Sequence, residues 1–375
     1  MKFDFIPSKA LIDQRAIYDN FKLVQNLHPK KKIFVAVKAD AYGHGVREVC
    51  APVIKAGAAG FCVAYVDEAR EIRGFGFNNL ILVLGASEAK SAAIAQKEDI
   101  SLTAPSLAWL QEVVKYLDST NPNKLKVHLA IDSGMGRIGM TRIEELEQAF
   151  QFVQDNSDKI ELEGMFTHFA TADADDEYYH EQQKRFKLLA KGFKQKVKYL
   201  HCENSASSLL EEDDDFTNSL RLGVALYGIS PFIKPQKLEQ KFKPVLSLES
   251  QISFIKKVSK GTKISYGATY TAPQDEYIAT VSIGYADGWL RRMQGFNLLV
   301  EGEFCPIVGR VTMDQLMIKV SKCYSIGTKV TLIGNSGSKK ISAEEAADFA
   351  KTIPYEILTT ISRRVPRIAV NKIEE

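Results

Sequence analysis

Between about residues 30 and 230 the chain repeats one pattern eight times: a short apolar run, then a stretch of helical length with apolar residues three and four apart. The apolar runs are IFVAVKA, GFCVAY, LILVLGA, ISLTA, VHLAID, LEGMFTHFA, KYLHCENSA and SLRLGVALYG. Runs that are apolar at consecutive positions read as strands covered on both faces, the condition of parallel strands. Segments such as VREVCAPVIKAG, APSLAWLQEVVKYL and TRIEELEQAFQFVQ supply the helices that cover them. Eight strand–helix units in about 200 residues predict a (β/α)8 TIM-type barrel rather than an open doubly wound sheet.

The pattern then changes. Residues 234–245, KPQKLEQKFKPV, are polar with two prolines and read as a linker. Beyond them LSLESQISFIKKV, KISYGATYTA, YIATVSIGYADG, NLLVEGEFCPIVGRV, QLMIKV and KVTLIG are short, often alternating and punctuated by glycine turns, as in a mostly-β domain. One late helix, SAEEAADFA, opens on Ser342 with Glu345 three residues on, a capping pair. The expected organisation is α/β, with a barrel over 1–240 and a β-rich domain over 241–375.

Several function classes are excluded at this stage. No window approaches the roughly 18 consecutive apolar residues of a membrane span, and MKFDFIPSKALIDQRAI carries Asp4 and Asp13 where a secretory signal needs an apolar core, so a cytoplasmic protein is expected. The net charge of +3 is spread without a long basic block and gives no nucleic-acid footprint. Five scattered cysteines, never in C-x-x-C spacing, argue for reduced thiols rather than disulfides or a zinc site. The acidic runs at 173–177 and 211–215 lack the calcium-loop pattern, and GNSGSKK near residue 334 does not fit a phosphate loop, so no metal is expected.

The first apolar run ends on a lysine. In IFVAVKADAYGHG, Lys38 sits where a core strand surfaces, a place suited to holding an aldehyde cofactor as a Schiff base. An isolated strand-end lysine is better explained as snorkelling to solvent. The segments AVKADAYGHG, DSGMGRIGM, FTHFATAD, HCENSAS, LRLGVALYG, ISYGATY, SIGYADGW, GRVTMDQ and PYEILTTISRRVPR decide between these. In this order they resemble alanine racemase, a pyridoxal 5'-phosphate enzyme of the barrel-plus-β-domain type, over the chain up to Arg367.

The resemblance implies a set of roles. Lys38 is the Schiff-base lysine and the base for one face of the substrate; Tyr266, from the partner subunit, serves the other face, so a homodimer with shared sites is implied. A phenol of ordinary pKa near 10 is a poor base at neutral pH and needs cationic neighbours; His168 and Arg221 match residues linked to that tyrosine. Arg221 also matches the residue facing the pyridine nitrogen, where most enzymes of this cofactor place a carboxylate. Ser205, Gly223, Val224, Tyr42 and Tyr355 match phosphate ligands, with Asn204 orienting the loop, although ENSAS by itself is equally a helix cap. Arg137 and the Met313 amide match the substrate-carboxylate site, and Tyr285 and Tyr355 the residues that narrow the entrance to favour alanine. One departure stands out: Ala130 occupies the position where many members carry a carbamylated lysine that steadies the arginine. Arg137 is therefore expected to be balanced by an anion such as chloride or by a carboxylate from elsewhere. The resemblance implies D-alanine supply to peptidoglycan; a serine or broad-specificity racemase, a barrel protein that merely binds the cofactor, and a decarboxylase are the alternatives.

Overall fold

A computed structural model describes residues 5–174, 176–210, 215–232 and 241–373. Most of the expected linker and of the acidic run at 211–215, and one residue of the run at 173–177, lie outside the described residues. The chain divides into two compact units: Ala16–Ala41 with Val49–Lys243, and Met1–Arg15 with Tyr42–Glu48 and Pro244–Glu375.

The strands in chain order begin with β1 (Lys9–Asp13), β2 (Lys32–Ala36), β3 (Gly60–Val63), β4 (Leu80–Ala86), β5 (Ser101–Ala104), β6 (Leu125–Ala130), β7 (Ile160–Phe166), β8 (Tyr199–His201) and β9 (Ser219–Leu222). β2 to β9 form the expected closed barrel, each paired in parallel with the next and β9 paired with β2. Every residue of β3, β5 and β9 is buried, as consecutive apolar residues require. The helix Gln14–Leu27 turns Ala16, Ile17, Asn20, Phe21 and Val24 inward, one stripe at helical spacing.

The second unit holds β10 (Leu246–Val258), β11 (Lys263–Ile264), β12 (Tyr270–Thr271), β13 (Glu276–Val281), β14 (Asn297–Val300), β15 (Glu303–Pro306), β16 (Leu316–Val320), β17 (Lys329–Ser336), β18 (Lys339–Ile341) and β19 (Arg367–Val370). Its main sheet runs β15-β14-β17-β10-β1-β19, with β13, β16 and β18 attached. A single cut near residue 240 does not reproduce this division. β1 pairs antiparallel with β10 and parallel with β19, and it buries only alternate residues, Ala10 and Ile12, as a strand with one covered face does. Tyr42–Glu48 joins the same unit because Gly43 lies against Leu358: a Cβ on Gly43 would stand 2.1 Å from the Leu358 carbonyl oxygen, and the φ of +81° also favours glycine. Arg367 Nε donates to the Gly43 carbonyl at 3.0 Å.

Candidate active site

In the barrel unit Lys38 stands two residues beyond the last residue of β2, and the backbone after it is unusual. Ala39, Asp40, Ala41 and Tyr42 all have φ between 52° and 55°, a left-handed turn without a glycine. Each such residue costs about 1–2 kcal/mol, so something must hold the turn. Glu68, in the helix Val66–Gly74, accepts the Ala39 N–H at 2.7 Å through one carboxylate oxygen and the Ala64 and Tyr65 N–H groups through the other. Burial, with Arg137 and Arg221 nearby, lowers the Lys38 pKa against the pull of Glu68, which makes the amine a better nucleophile near neutral pH.

Arg221 on β9 is 4% exposed, yet it has no carboxylate within ion-pair distance among the described residues. Its Nη1 donates to His201 Nδ1 at 2.6 Å and to the His201 carbonyl at 3.2 Å. Its Nη2 donates to the Thr167 and Cys202 carbonyls at 2.7 and 3.0 Å and to His168 Nδ1 at 3.3 Å. The Nε–H alone has no partner among the described residues, so one donor of a guanidinium fixed on its other side remains for an outside acceptor. Burial first, then Arg221, Arg137 and Lys38, push the His168 pKa down to about 3. That ring is neutral, and because an arginine only donates, its proton sits on Nε2.

Ser205 Oγ accepts the Gly223 and Ala225 N–H groups at 2.9 and 3.3 Å, bringing the hydroxyl against the turn Val224–Tyr227. Val224 opens that turn, so its N–H has no acceptor within it. Asn204 caps the helix Ser207–Leu210, its Oδ1 accepting from Ser207 N at 3.1 Å while its own N–H donates to Ser207 Oγ at 2.9 Å. Loop orientation and helix capping are thus one arrangement. Arg137 is exposed and lies on a loop tied down by Asp132, whose Oδ1 accepts the Gly134 and Gly136 N–H groups at 2.9 and 3.0 Å. Ala130, at the end of β6, is buried and supplies no charge.

The remaining expected residues lie in the β-rich unit. Tyr42 and Tyr355 bring their ring centroids to 6.2 Å. Tyr266, Met313 and Tyr285 are 72%, 54% and 42% exposed, large side chains left in solvent. Tyr285 N donates to the Thr312 carbonyl and Ala286 N to the Met313 carbonyl, both at 3.0 Å, so those two turns are locked together. Among the described residues no helix is long and apolar enough to cross a membrane.

Two family models match in sequence: alanine racemase, N-terminal domain, over residues 12–231 and alanine racemase, C-terminal domain, over 245–369. The chain belongs to the alanine racemase family. An alanine racemase of Ligilactobacillus salivarius is 45% identical over 96% of this chain and 97% of its own length. The crystal structure of alanine racemase from Bacillus anthracis with bound L-Ala-P superposes with a TM-score of 0.91 at 42% identity, covering 99% of this chain and 97% of that one. A histidine racemase from Leuconostoc mesenteroides superposes equally well, with a TM-score of 0.91 at 31% identity over 98% and 99% of the two chains. The fold of alanine racemases therefore does not by itself select the side chain of the substrate.

Sequence reasoning passed over Glu68, Thr167 and the buried groups behind Arg221, namely His201, His128 and Glu163. A signal existed for the last three. Each is a polar residue inside an apolar strand run, and such residues stay in a barrel interior only when they are hydrogen-bonded.

Proposed function

We propose that the protein interconverts L- and D-alanine with pyridoxal 5'-phosphate held on Lys38, in a homodimer whose sites are shared. The observation that carries this reading is Arg221: a buried arginine, fixed on five acceptors, with its Nε–H left for a ring nitrogen. The residues fit the cofactor. Lys38 offers an amine of lowered pKa, and Ser205 with the Val224 N–H offers donors to a phosphate. Tyr42 and Tyr355 are assigned to that phosphate on the resemblance alone. When bound, the cofactor supplies an electron sink that makes the α-proton of an amino acid removable.

The chain's own groups then divide the work. Arg221 is always charged, so it donates to the ring nitrogen and keeps it unprotonated, which restrains the sink and disfavours protonation away from the α-carbon. Lys38 Nζ takes or returns the proton on one face. The partner subunit's Tyr266 does so on the other, and the His168 Nε2–H supports its charged form by donating to the phenolate oxygen. Arg137 and the Met313 amide of the partner orient the substrate carboxylate. The exposure of Tyr266, Met313 and Tyr285 supports a second copy as their cover.

The same reading gives a cytoplasmic enzyme supplying D-alanine for peptidoglycan. The histidine racemase likeness motivates a second reading, action on a larger or polar amino acid such as serine. Borohydride reduction should leave a cofactor adduct on Lys38, and chirality assays on alanine, serine and histidine should give the highest turnover with alanine. A missing adduct refutes the cofactor assignment, and faster turnover of serine or histidine refutes the substrate.

A further inference from the structure

The barrel interior holds a chain of hydrogen bonds that leads away from the proposed site. Arg221 Nη1 lies 2.6 Å from His201 Nδ1, His201 Nε2 lies 2.9 Å from His128 Nδ1, and His128 Nε2 lies 3.2 Å from Glu163 Oε2. Ser101 Oγ donates to the same carboxylate oxygen at 2.6 Å. All five side chains are buried. They come from β5, β6, β7, β8 and β9, so the chain crosses five adjacent staves of the barrel.

Only one placement of protons satisfies both ends. A guanidinium has no lone pair to offer, so His201 Nδ1 is a bare acceptor and that ring carries its proton on Nε2. His201 therefore donates to His128 Nδ1, which puts the His128 proton on Nε2, aimed at Glu163. Reversing either link would leave one imidazole without a proton, a buried anion. Both rings are neutral in this arrangement, and the charges sit at the two ends. Burial and the Arg221 charge lower the His201 pKa well below its usual value. Burial opposes ionisation of Glu163, but its interactions with His128, the hydrogen bond from Ser101 and the charge of Lys126 outweigh it and lower its pKa. Glu203, whose charge also acts on Arg221, is itself paired with Lys31 at 2.6 Å and accepts from Thr217 Oγ1 at 2.5 Å.

We propose that Glu163 is a positioning residue for Arg221: through His128 and His201 it fixes the orientation of the guanidinium and supplies its counter-charge across the barrel. A buried cation without a counter-charge is costly, and chains of hydrogen bonds in a low-dielectric interior polarise one another. The carboxylate thereby sets how strongly the Arg221 Nε–H donates. What that does to the reaction rests on the reading that this N–H faces the cofactor's ring nitrogen; the chain of bonds itself does not.

The test is nitrogen-15 NMR of the histidine-labelled holoenzyme together with Glu163→Gln, which keeps an acceptor oxygen for His128 and deletes the charge. His128 and His201 should each show a protonated Nε2 and a bare Nδ1; a proton on Nδ1 of either ring overturns the assignment. Glu163→Gln should shift the visible absorption of the bound cofactor and lower kcat about tenfold, the scale of losses when a ligand's outer partner is removed. KM should hold, because Arg137 is untouched. Unchanged absorption and kcat overturn the positioning role. If Glu163→Gln does not fold, Ser101→Ala, which removes one donor from the same oxygen, is read by the same absorption and kcat, with a change of about twofold expected. Expected tautomers in a wild-type protein that racemises nothing support the chain of bonds and overturn the reading of the reaction instead.

Discussion

The two units present the side chains proposed for the site in opposite ways. In the barrel, Arg221 and His168 have polar atoms bound to one another, and Arg221 is further tied to carbonyls, so their geometry is fixed before any ligand arrives. In the β-rich unit, Tyr266, Met313 and Tyr285 stand in solvent, and the Tyr266 hydroxyl has no partner among the described residues. The barrel holds preorganised electrostatics of the kind that stabilise charge developing in a reaction, whereas the β-rich unit holds large side chains left in solvent. The proposed sharing of the site between subunits should be separable by mutation.

The largest effect expected from that contrast is complementation between subunits. Lys38→Ala and Tyr266→Phe should each lose activity by about 10³-fold, since each removes one acid–base group. Mixed and refolded together, they should recover about one quarter of wild-type activity, because half of randomly paired C₂ dimers are hybrids and each hybrid has one intact site. Steady-state rates of the mixture against the separate variants decide it. If nothing returns while hybrids form normally by native mass spectrometry, both groups belong to one subunit's site and the contrast breaks.

A smaller loss should come from within the barrel. Arg221→Glu replaces the fixed donor by a carboxylate able to keep the ring nitrogen protonated. Racemisation should fall by about 10²-fold, as when one preorganised donor is removed, and slow formation of pyruvate should accompany it as the amino group is retained by the cofactor. Pyruvate assays on folded variant, checked by its melting transition, test this. A variant that racemises more slowly without any pyruvate detaches Arg221 from reaction specificity.

Stability should also carry the signature of the barrel's dry electrostatics. His168 is held at about 3, by burial first and then by Arg221, and His201 is lowered in the same direction. In the unfolded chain both titrate near 6.5. Between these values the unfolded state binds more protons, so unfolding free energy should fall as pH drops from about 6.5 towards 3 and be indifferent to these groups above it. Urea midpoints at a series of pH values should show a shallower acid slope in His168→Gln than in the wild type. Equal slopes leave His201 and the carboxylates as the whole cause.

How far the sequence reaches follows the same division. The eight barrel strands were legible because burial on both faces demands consecutive apolar residues, and the runs are too short and too regularly spaced between amphipathic stretches to be buried helices. β1 escaped because five alternating residues, Lys9–Asp13, pair only with strands more than two hundred residues away. The left-handed turn after Lys38 was invisible for a different reason: alanine, aspartate and tyrosine prefer other conformations, and the turn depends on Glu68, about thirty residues on. The roles proposed for His168 and Arg221 come from the family resemblance of their motifs rather than from pattern. Glu163, His128 and His201 were visible one at a time as polar residues in strands, but their bonding depends on the register of four neighbouring staves, which no local signal states.

The smallest expected effect concerns Arg137, the barrel residue that most resembles the β-rich unit in standing exposed, and it makes no ion pair among the described residues. With Ala130 in place of a lysine no carbamate can form, so activity should be unchanged when dissolved carbon dioxide is stripped out. Replacing chloride by a bulky organic anion should raise KM severalfold with kcat nearly constant, since an exposed charge pair contributes about 0–1 kcal/mol. Loss of activity on removing carbon dioxide would sink the proposal of a bound anion, because it requires a carbamate on some other lysine. A KM indifferent to both changes would mean that Arg137 is steadied by a carboxylate instead.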